Sequence, residues 1–327
     1  MTARLPLAVL GVGHVHAPGY LRRLLARPDV KVVGLYDDDP ATLRRVAADT
    51  GVDSFASPDA CLERGRAVLV CSEPTRQRRL VELAAAASRP TLCEKPLGTT
   101  PVESRALLKA AARVPLSVAL PVRYHSAARQ LRRLVQASAL GTVVAVWASN
   151  RNSFPGGWFA DPARAGGGCL LDHVVHVADL LRWIWGAEFE TVTAEDGVRH
   201  RPGLAVEDTA VVQVNCTGGL IATIDPSMSR PRGMPGALDL VVEAWGEQGS
   251  ATLDLFAPRV ERVGEDGRIA RLPVGDDMDA AMLDAWLHSV VEEEAPPVPA
   301  ADAFAATALS FAAKEAAVSH RAVRVVA

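Results

Sequence analysis

The sequence has no C-x-x-C pair, and its five cysteines are an odd number. That set reads as reduced thiols in a reducing compartment, so a cytoplasmic location is expected. No charged segment leads into an apolar one near the start. No run approaches the ~18 uninterrupted apolar residues of a membrane span, so neither export nor insertion is expected. Excess charge is missing too: 35 Lys and Arg against 38 Asp and Glu leave a formal net charge of −3. The arginines form small groups, Arg22 and Arg23, Arg76, Arg78 and Arg79, Arg132 and Arg133, each within a helical pattern beside apolar residues. They read as solvated helix faces, not as a nucleic-acid stripe. Internal repeats and low-complexity segments are absent as well.

What is present is length and apolar content. At 327 residues and 49% hydrophobic, the chain exceeds one ordinary core and predicts two domains. Between Leu5 and about Leu120, strand candidates (Leu5–Gly11, Lys31–Tyr36, Ala67–Cys71, Pro90–Cys93, Leu116–Leu120) alternate with helical patterns near Ala17–Ala26, Ala41–Thr50, Thr75–Ala87 and Pro101–Arg113. This alternation predicts a parallel, doubly wound α/β sheet of the Rossmann type over residues 1–121. Near-continuous apolar strands such as Ala67–Cys71 fit burial on both faces.

After Pro121 the rhythm changes. A long helix is predicted over Cys169–Trp185, then strands at Glu190–Glu195, Asp208–Cys216, Gly219–Asp225, Leu238–Trp245, Ser250–Phe256 and Arg259–Val263, then helices at Asp277–Glu293 and Ala300–His320. Residues 122–327 therefore read as an α+β domain with an antiparallel sheet, its last helix able to pack back on the first domain. The strands carry apolar residues on both faces, as in Leu238–Trp245. One face is expected to pack on the domain's own helices and the other on a partner, giving a homodimer or homotetramer.

Two short stretches carry the chemistry. Gly11 and Gly13 occupy the first two positions of a G-x-G-x-x-G turn after a strand, built for a tight bend and for close approach to a pyrophosphate. The amides that follow, at His14 and Val15, open a helix that favours the anion. His16 stands at the third glycine position. Asp37 ends the second strand, where a carboxylate grips a ribose 2′-hydroxyl and repels a 2′-phosphate, so NAD is expected over NADP. Asp38 and Asp39 read as helix caps. Glu94-Lys95-Pro96 ends the fourth strand at the carboxyl edge of the sheet, where such sheets bind ligands. Lys95 is placed there to hold a reacting hydroxyl or the cofactor ribose. Pro96 restricts Lys95 to extended geometry, and their bond is a candidate for the cis form.

The second constellation runs from Gly166 to Asp179. Three glycines lead into a helix on which Asp172, His176 and Asp179 share a face. Asp172 is expected to orient His176, which titrates near neutrality and accepts a proton. Asp179 reads as a hydrogen-bonding partner within the fold. His173 is expected to point away from that face, as a structural or ligand-contacting residue. A metal site from these histidines and aspartates is not expected, because the ligands lie on adjacent faces without cysteine support. Cys169 lacks a base within sequence reach.

With these residues in place the chain resembles the glucose–fructose oxidoreductase, inositol dehydrogenase and rhizopine-catabolism (Gfo/Idh/MocA) family over nearly its whole length. The likeness rests on Gly11–Gly13, Glu94-Lys95-Pro96, the G-G-G-x-L-x-D-x-x-x-H-x-x-D run and a Gly246-x-x-Gly249 turn. It implies a Rossmann domain, a second domain with an open antiparallel sheet, and Lys95, Asp172 and His176 as the catalytic group. The chain departs from the family at His16, at Ser72-Glu73-Pro74 where Thr-Pro-Asn is usual, and at Gln77 where His is frequent. Ser72 and Glu94 complete the expected cofactor contacts. Arg123, Tyr124 and His125, then Asn150, Arg151, Trp158 and His173, are the candidate substrate contacts. The expected activity is hydride transfer between NAD and a hydroxyl of a sugar, inositol or related polyol. Two alternatives stay open: an NAD-dependent glycosidase working by transient oxidation and elimination, and a non-catalytic ligand sensor.

Overall fold

The computed structural model describes residues 4–231, 233, 238–256, 259–263, 269–273 and 276–327. In chain order the first elements are β1 (Leu5–Leu10), α1 (Ala17–Leu25), β2 (Val30–Tyr36), α2 (Pro40–Thr50), α3 (Pro58–Leu62), β3 (Ala67–Val70), α4 (Pro74–Ala86), β4 (Thr91–Glu94), α5 (Pro101–Ala111) and β5 (Leu116–Ala119). Then come α6 (Ser126–Gln136), β6 (Val143–Asn152), α7 (Pro162–Ala165), α8 (Cys169–Trp185), β7 (Phe189–Gly197), β8 (Thr209–Cys216) and β9 (Ile221–Asp225). The rest are β10 (Leu238–Gly246), β11 (Gly249–Asp254), β12 (Arg259–Val263), β13 (Ile269–Pro273), α9 (Met278–Val291), α10 (Ala300–Ser319) and β14 (Val323–Arg324).

One compact unit holds the chain up to Leu120 together with Ala163–Gly166 and Asp279–Phe304. Its sheet is parallel, in the order β2-β1-β3-β4-β5. β3, β4 and β5 are buried along their whole length, as a sheet covered on both faces requires. Helix starts are written locally. α2, α3, α4 and α5 each begin with proline, whose fixed φ suits the first turn and whose missing N–H has no partner there anyway. Asp39, Ser57 and Thr100 cap three of them through their side chains. The two later segments join this unit through specific bonds: Thr75 Oγ1 donates to the Arg164 carbonyl (3.0 Å), and the Val118 amide to that of Val298 (3.0 Å). Parallel strands put the residues that follow them on one edge, so Gly11, Asp37, Ser72 and Glu94–Lys95 gather there.

The other unit holds Pro121–Pro162, Gly167–Met278 and Ala305–Ala327. Its seven-stranded sheet runs β11-β10-β6-β9-β8-β7-β14, and β12 pairs with β13 separately. The expected antiparallel sheet is corrected in one place, because β6 and β9 are parallel. A parallel neighbour needs a long crossover, and α8 with the β7–β8 hairpin supplies it. Alternation along β8 sends Ala210, Val212, Val214 and Cys216 inward and leaves Val211, Gln213 and Asn215 exposed. α8 packs on β6 and β8, burying Leu170, Val174, Val177 and Leu181. Each such side chain contributes about 1.5–3 kcal/mol of transfer free energy, enough to fix which face of α8 is hidden.

Candidate functional site

The glycine turn is shaped by what crowds it. Gly11 has φ +78°, and a Cβ built there would lie 2.5 Å from Ser72 Cβ, so only glycine fits. Its amide donates to the Tyr36 carbonyl (2.7 Å). The Asp37 carboxylate accepts from the amides of Val12 (2.7 Å) and Asp39 (2.8 Å) and is nearly sealed from solvent. The end of β2 therefore grips the turn that follows β1. His14 is buried and its amide donates to the Cys71 carbonyl (3.2 Å), whereas Val15 is exposed. Asp39 is the helix cap expected of it, while Asp38 instead takes the Tyr36 hydroxyl (2.6 Å) and the Arg79 guanidinium (2.8 Å). Ser72 is buried against Gly11, its hydroxyl directed at the Glu73 carbonyl (3.2 Å).

The histidine at the third glycine position has a structural reason. His16 Nδ1 lies 2.9 Å from Oε1 of Glu94, a carboxylate with no solvent exposure at the end of β4. His14 Nδ1 lies 3.7 Å from the same oxygen. Burial alone would raise the Glu94 pKa, but the two imidazoles and the neighbouring Lys95 hold it well below the ordinary carboxylate range. Burial alone would lower that of His16, but Glu94 prevails and raises it. Tyr20, buried one turn along α1, has its phenol pushed well up by burial and by Glu94. The second Glu94 oxygen accepts from the Lys95 amide (3.1 Å), and Gln77 Nε2 donates to the Lys95 carbonyl (3.4 Å). The Lys95 backbone is thus fixed on both sides, and the Lys95–Pro96 bond is cis. His14, Cys71 and Glu94 bring ligand-type atoms within 4.8 Å of one another. Burial, reinforced by Glu94, drives the Cys71 thiol far from its thiolate, so this trio suits a hydrogen-bonded network better than a metal.

On α8, Asp172 is half-buried near the helix start, where its charge opposes the macrodipole favourably. The orientation expected of His173 is corrected. His173 is buried, its Nε2 lies 3.2 Å from Asp172 Oδ2, and its Nδ1 lies 2.6 Å from the Pro226 carbonyl. Adjacent residues meet here because the imidazole is drawn toward β9, where the carbonyl fixes one ring nitrogen and turns the other to the carboxylate. His176 lies one turn beyond Asp172 and is half-buried. Asp179 acts within the fold, as expected: Arg123 donates to it from Nε (2.7 Å) and Nη2 (2.5 Å), both side chains being buried.

Several candidate substrate contacts are engaged in the same way. Asn150 Nδ2 donates to the His173 carbonyl (3.1 Å). Arg151 reaches Asp239 through Nε and Nη2 (2.9 Å for the latter) and Asp225 through Nη1 (3.4 Å). Trp158 stacks on Phe159 with centroids 3.8 Å apart. The half-buried Tyr124 phenol is pushed up to about 12, chiefly by burial. His125 caps α6 by accepting from the Ala127 amide (3.2 Å), and burial lowers its pKa.

Three acidic or basic groups escape a reading of the sequence. Glu73, buried beside Gly13, pairs with Arg76 (3.1 Å) and with Arg164, which comes from 91 positions away in the chain. Glu207 accepts from the Gly168 (3.0 Å) and Leu170 (3.2 Å) amides and so caps α8 from a distant strand start. A side chain at Gly168 would collide with the Glu207 carbonyl, which explains the last of the three glycines. The only sequence signal for either glutamate is an acidic residue flanked by strand and helix patterns, too common to single out.

Residues 5–120 match the model of the oxidoreductase family's NAD-binding Rossmann fold, and residues 128–252 match the GFO/IDH/MocA C-terminal domain. The chain is 30% identical over 251 residues to the myo-inositol dehydrogenase Hyg17 of Streptomyces leeuwenhoekii, covering 75% of each chain. It is 27% identical over 333 residues to the myo-inositol 2-dehydrogenase of Thermotoga maritima, covering 97% of this chain and 98% of the other. The crystal structure of GenD2 from gentamicin A biosynthesis, in complex with NAD, superposes with a TM-score of 0.89 at 28% identity, over 100% of this chain and 98% of that one. The glycine turn, the Glu-Lys-Pro at the end of β4 and the full-length matches agree: this chain belongs to the GFO/IDH/MocA family of oxidoreductases, with an NAD-binding Rossmann domain at its amino-terminal end.

Proposed function

We propose that this protein is an NAD-dependent dehydrogenase oxidising a secondary alcohol of an inositol, a sugar or a related polyol. The observation that carries the reading is that one chain keeps Lys95, with its backbone held on both sides, together with Asp172 and His176 one turn apart on α8. A sensor needs no such set. Relatives named as inositol dehydrogenases support the substrate class.

The residues fit NAD. Gly11 bends where no side chain is tolerated, Asp37 is fixed at the end of β2 with lone pairs left over, and α1 opens from the turn. NAD, when bound, takes up the hydride. The chain's own residues handle the proton and the charge. His176 accepts the hydroxyl proton, because an imidazole is matched to proton transfer near neutral pH. Asp172 supplies the negative charge that favours the imidazolium. Lys95 donates to the developing alkoxide. Tyr124, Asn150 and Arg151 orient a hydroxyl-rich substrate, with Arg151 held rigid by Asp239 and Asp225. Asp37 makes NAD the preferred cofactor over NADP.

The test is NADH formation by purified protein against inositol stereoisomers and sugars, with an aryl glycoside in parallel. Steady NADH formation with at least one polyol is expected. Aglycone release without net NADH would replace the reading with the glycosidase one, and silence across the panel would overturn it.

A homodimer or homotetramer in a reducing cytoplasm completes the proposal. Val144, Val211, Ile221 and Trp245 are exposed on strands of the seven-stranded sheet, and all five cysteines are free thiols. Light scattering at micromolar concentration tests it, and a monomeric mass would refute it. No helix among the described residues is long and apolar enough to cross a membrane.

A further inference from the structure

The amino-terminal unit has a second concave feature, on the edge of its sheet away from the glycine turn. A cavity of about 650 Å³ opens where the parallel strands begin. Arg4 immediately precedes β1, Arg66 immediately precedes β3, and Arg89 lies two residues before β4; all three line this cavity. These strands are consecutive neighbours in the sheet. Adjacent strands are spaced about 4.8 Å apart, so the three guanidinium groups spring from a short row. Elsewhere in the unit Arg23, Arg27, Arg76 and Arg164 each pair with a carboxylate. Among the described residues, Arg4, Arg66 and Arg89 have no carboxylate within 4.0 Å, although Glu293 and Glu294 line the same cavity. Arg89 Nε is moreover shut off from solvent without a hydrogen-bond partner. Arg4 and Arg66 are exposed and Arg89 is half-buried, so the row can offer an anion several charge-assisted hydrogen bonds. Val290 and Val291 of α9 add an apolar wall.

We propose that this cavity is a second ligand site, for a small organic anion carrying phosphate or carboxylate at one end. The anionic end sits on Arg66 and Arg89, with Arg4 at the margin. The body lies along Val290 and Val291. Glu293 and Glu294 accept from its hydroxyls and reject molecules charged at both ends. The volume falls within the range of small-molecule pockets. The site is separate from the one assigned to NAD, since it occupies the opposite ends of the same strands.

Protein saturated with NAD, so that the glycine turn is filled, is titrated calorimetrically with inorganic phosphate in one arm and the hydroxy-monocarboxylate glycerate in the other. Saturable binding of at least one probe is expected, weakening as salt rises. The arm that binds tells phosphate from carboxylate. Arg89→Gln and Arg66→Gln should each weaken it by roughly tenfold or more while NAD affinity stays unchanged. Arg66 is exposed, so its variant keeps the test open even where Arg89→Gln disturbs folding. Failure of both probes to saturate, or wild-type affinity in Arg66→Gln, would overturn the proposal.

Discussion

The glycine turn and the α8 run both carry chemistry, but they secure their polar groups by different means. At the turn, everything needed follows the ends of parallel strands. Asp37 holds the Val12 amide, Ser72 limits Gly11, and Glu94 collects His14 and His16. Along α8 the partners come from several unrelated elements of the fold and not from one sheet edge. Asp179 meets Arg123 across 56 residues, and His173 meets the Pro226 carbonyl across 53. The helix start is capped by Glu207, and Asn150 of β6 holds the His173 carbonyl. A motif made of backbone geometry is thus completed by its own sheet edge. A motif made of a helix face is completed by whatever the tertiary fold brings to that face.

The largest test of this contrast is at α8. His176→Ala should lower single-turnover NADH formation by roughly two to four decades, with NAD affinity nearly unchanged. If the variant keeps a near-wild-type rate across the pH range, α8 does not hold the base.

Next is the buried pair that anchors the helix. Removing one partner of a buried, hydrogen-bonded ion pair costs about 3–5 kcal/mol, so Asp179→Ala should lower stability by that order in urea denaturation. Replacing both groups, as Arg123→Met with Asp179→Leu, should recover much of the loss. An equal loss in single and double variants would show that the pair is not what anchors α8.

The turn should respond through its backbone. Gly11→Ala forces an L side chain into the left-handed region, at about 1–2 kcal/mol, and drives its Cβ into Ser72. NAD affinity by calorimetry should fall by roughly tenfold or more. Unchanged affinity would separate cofactor binding from this turn.

The smallest effect is a pH dependence. The folded state raises the His16 pKa above 6.5. Its stabilising contribution is therefore complete below 6.5 and is lost as pH climbs through the raised value. Glu94 stays ionised well into acid, so the partner persists over that window. The melting temperature gap between wild type and His16→Ala should be a few degrees in mildly acidic buffer and close on the alkaline side. A gap that widens with pH would contradict the His16–Glu94 pairing.

Much of this was legible beforehand, and the exceptions are instructive. The helix Cys169–Trp185 was readable to the residue because an apolar run is bounded by glycines on both sides. The parallel β6–β9 pair was not, since strand direction depends on a crossover and not on any pattern within the strand. Spacing put Asp172 and His176 on one face, but the contact between Asp172 and its neighbour His173 arises only when Pro226 supplies a carbonyl. Arg151 looked like a substrate group from its place near a strand end, and Asp239 and Asp225 engage it from other strands.

By itself, the sequence determined the alternation of elements, the glycine turn, the proline-led helix starts and the placement of Lys95 at the end of β4. These depend on local sterics and periodicity, which neighbouring residues set among themselves. Only the tertiary structure decided why His16 replaces a glycine, which carboxylate caps α8, and which arginines are tied into the fold. Those outcomes depend on neutralising buried charge, and a charge is neutralised by whichever group the fold brings within a few ångströms, however distant in the chain.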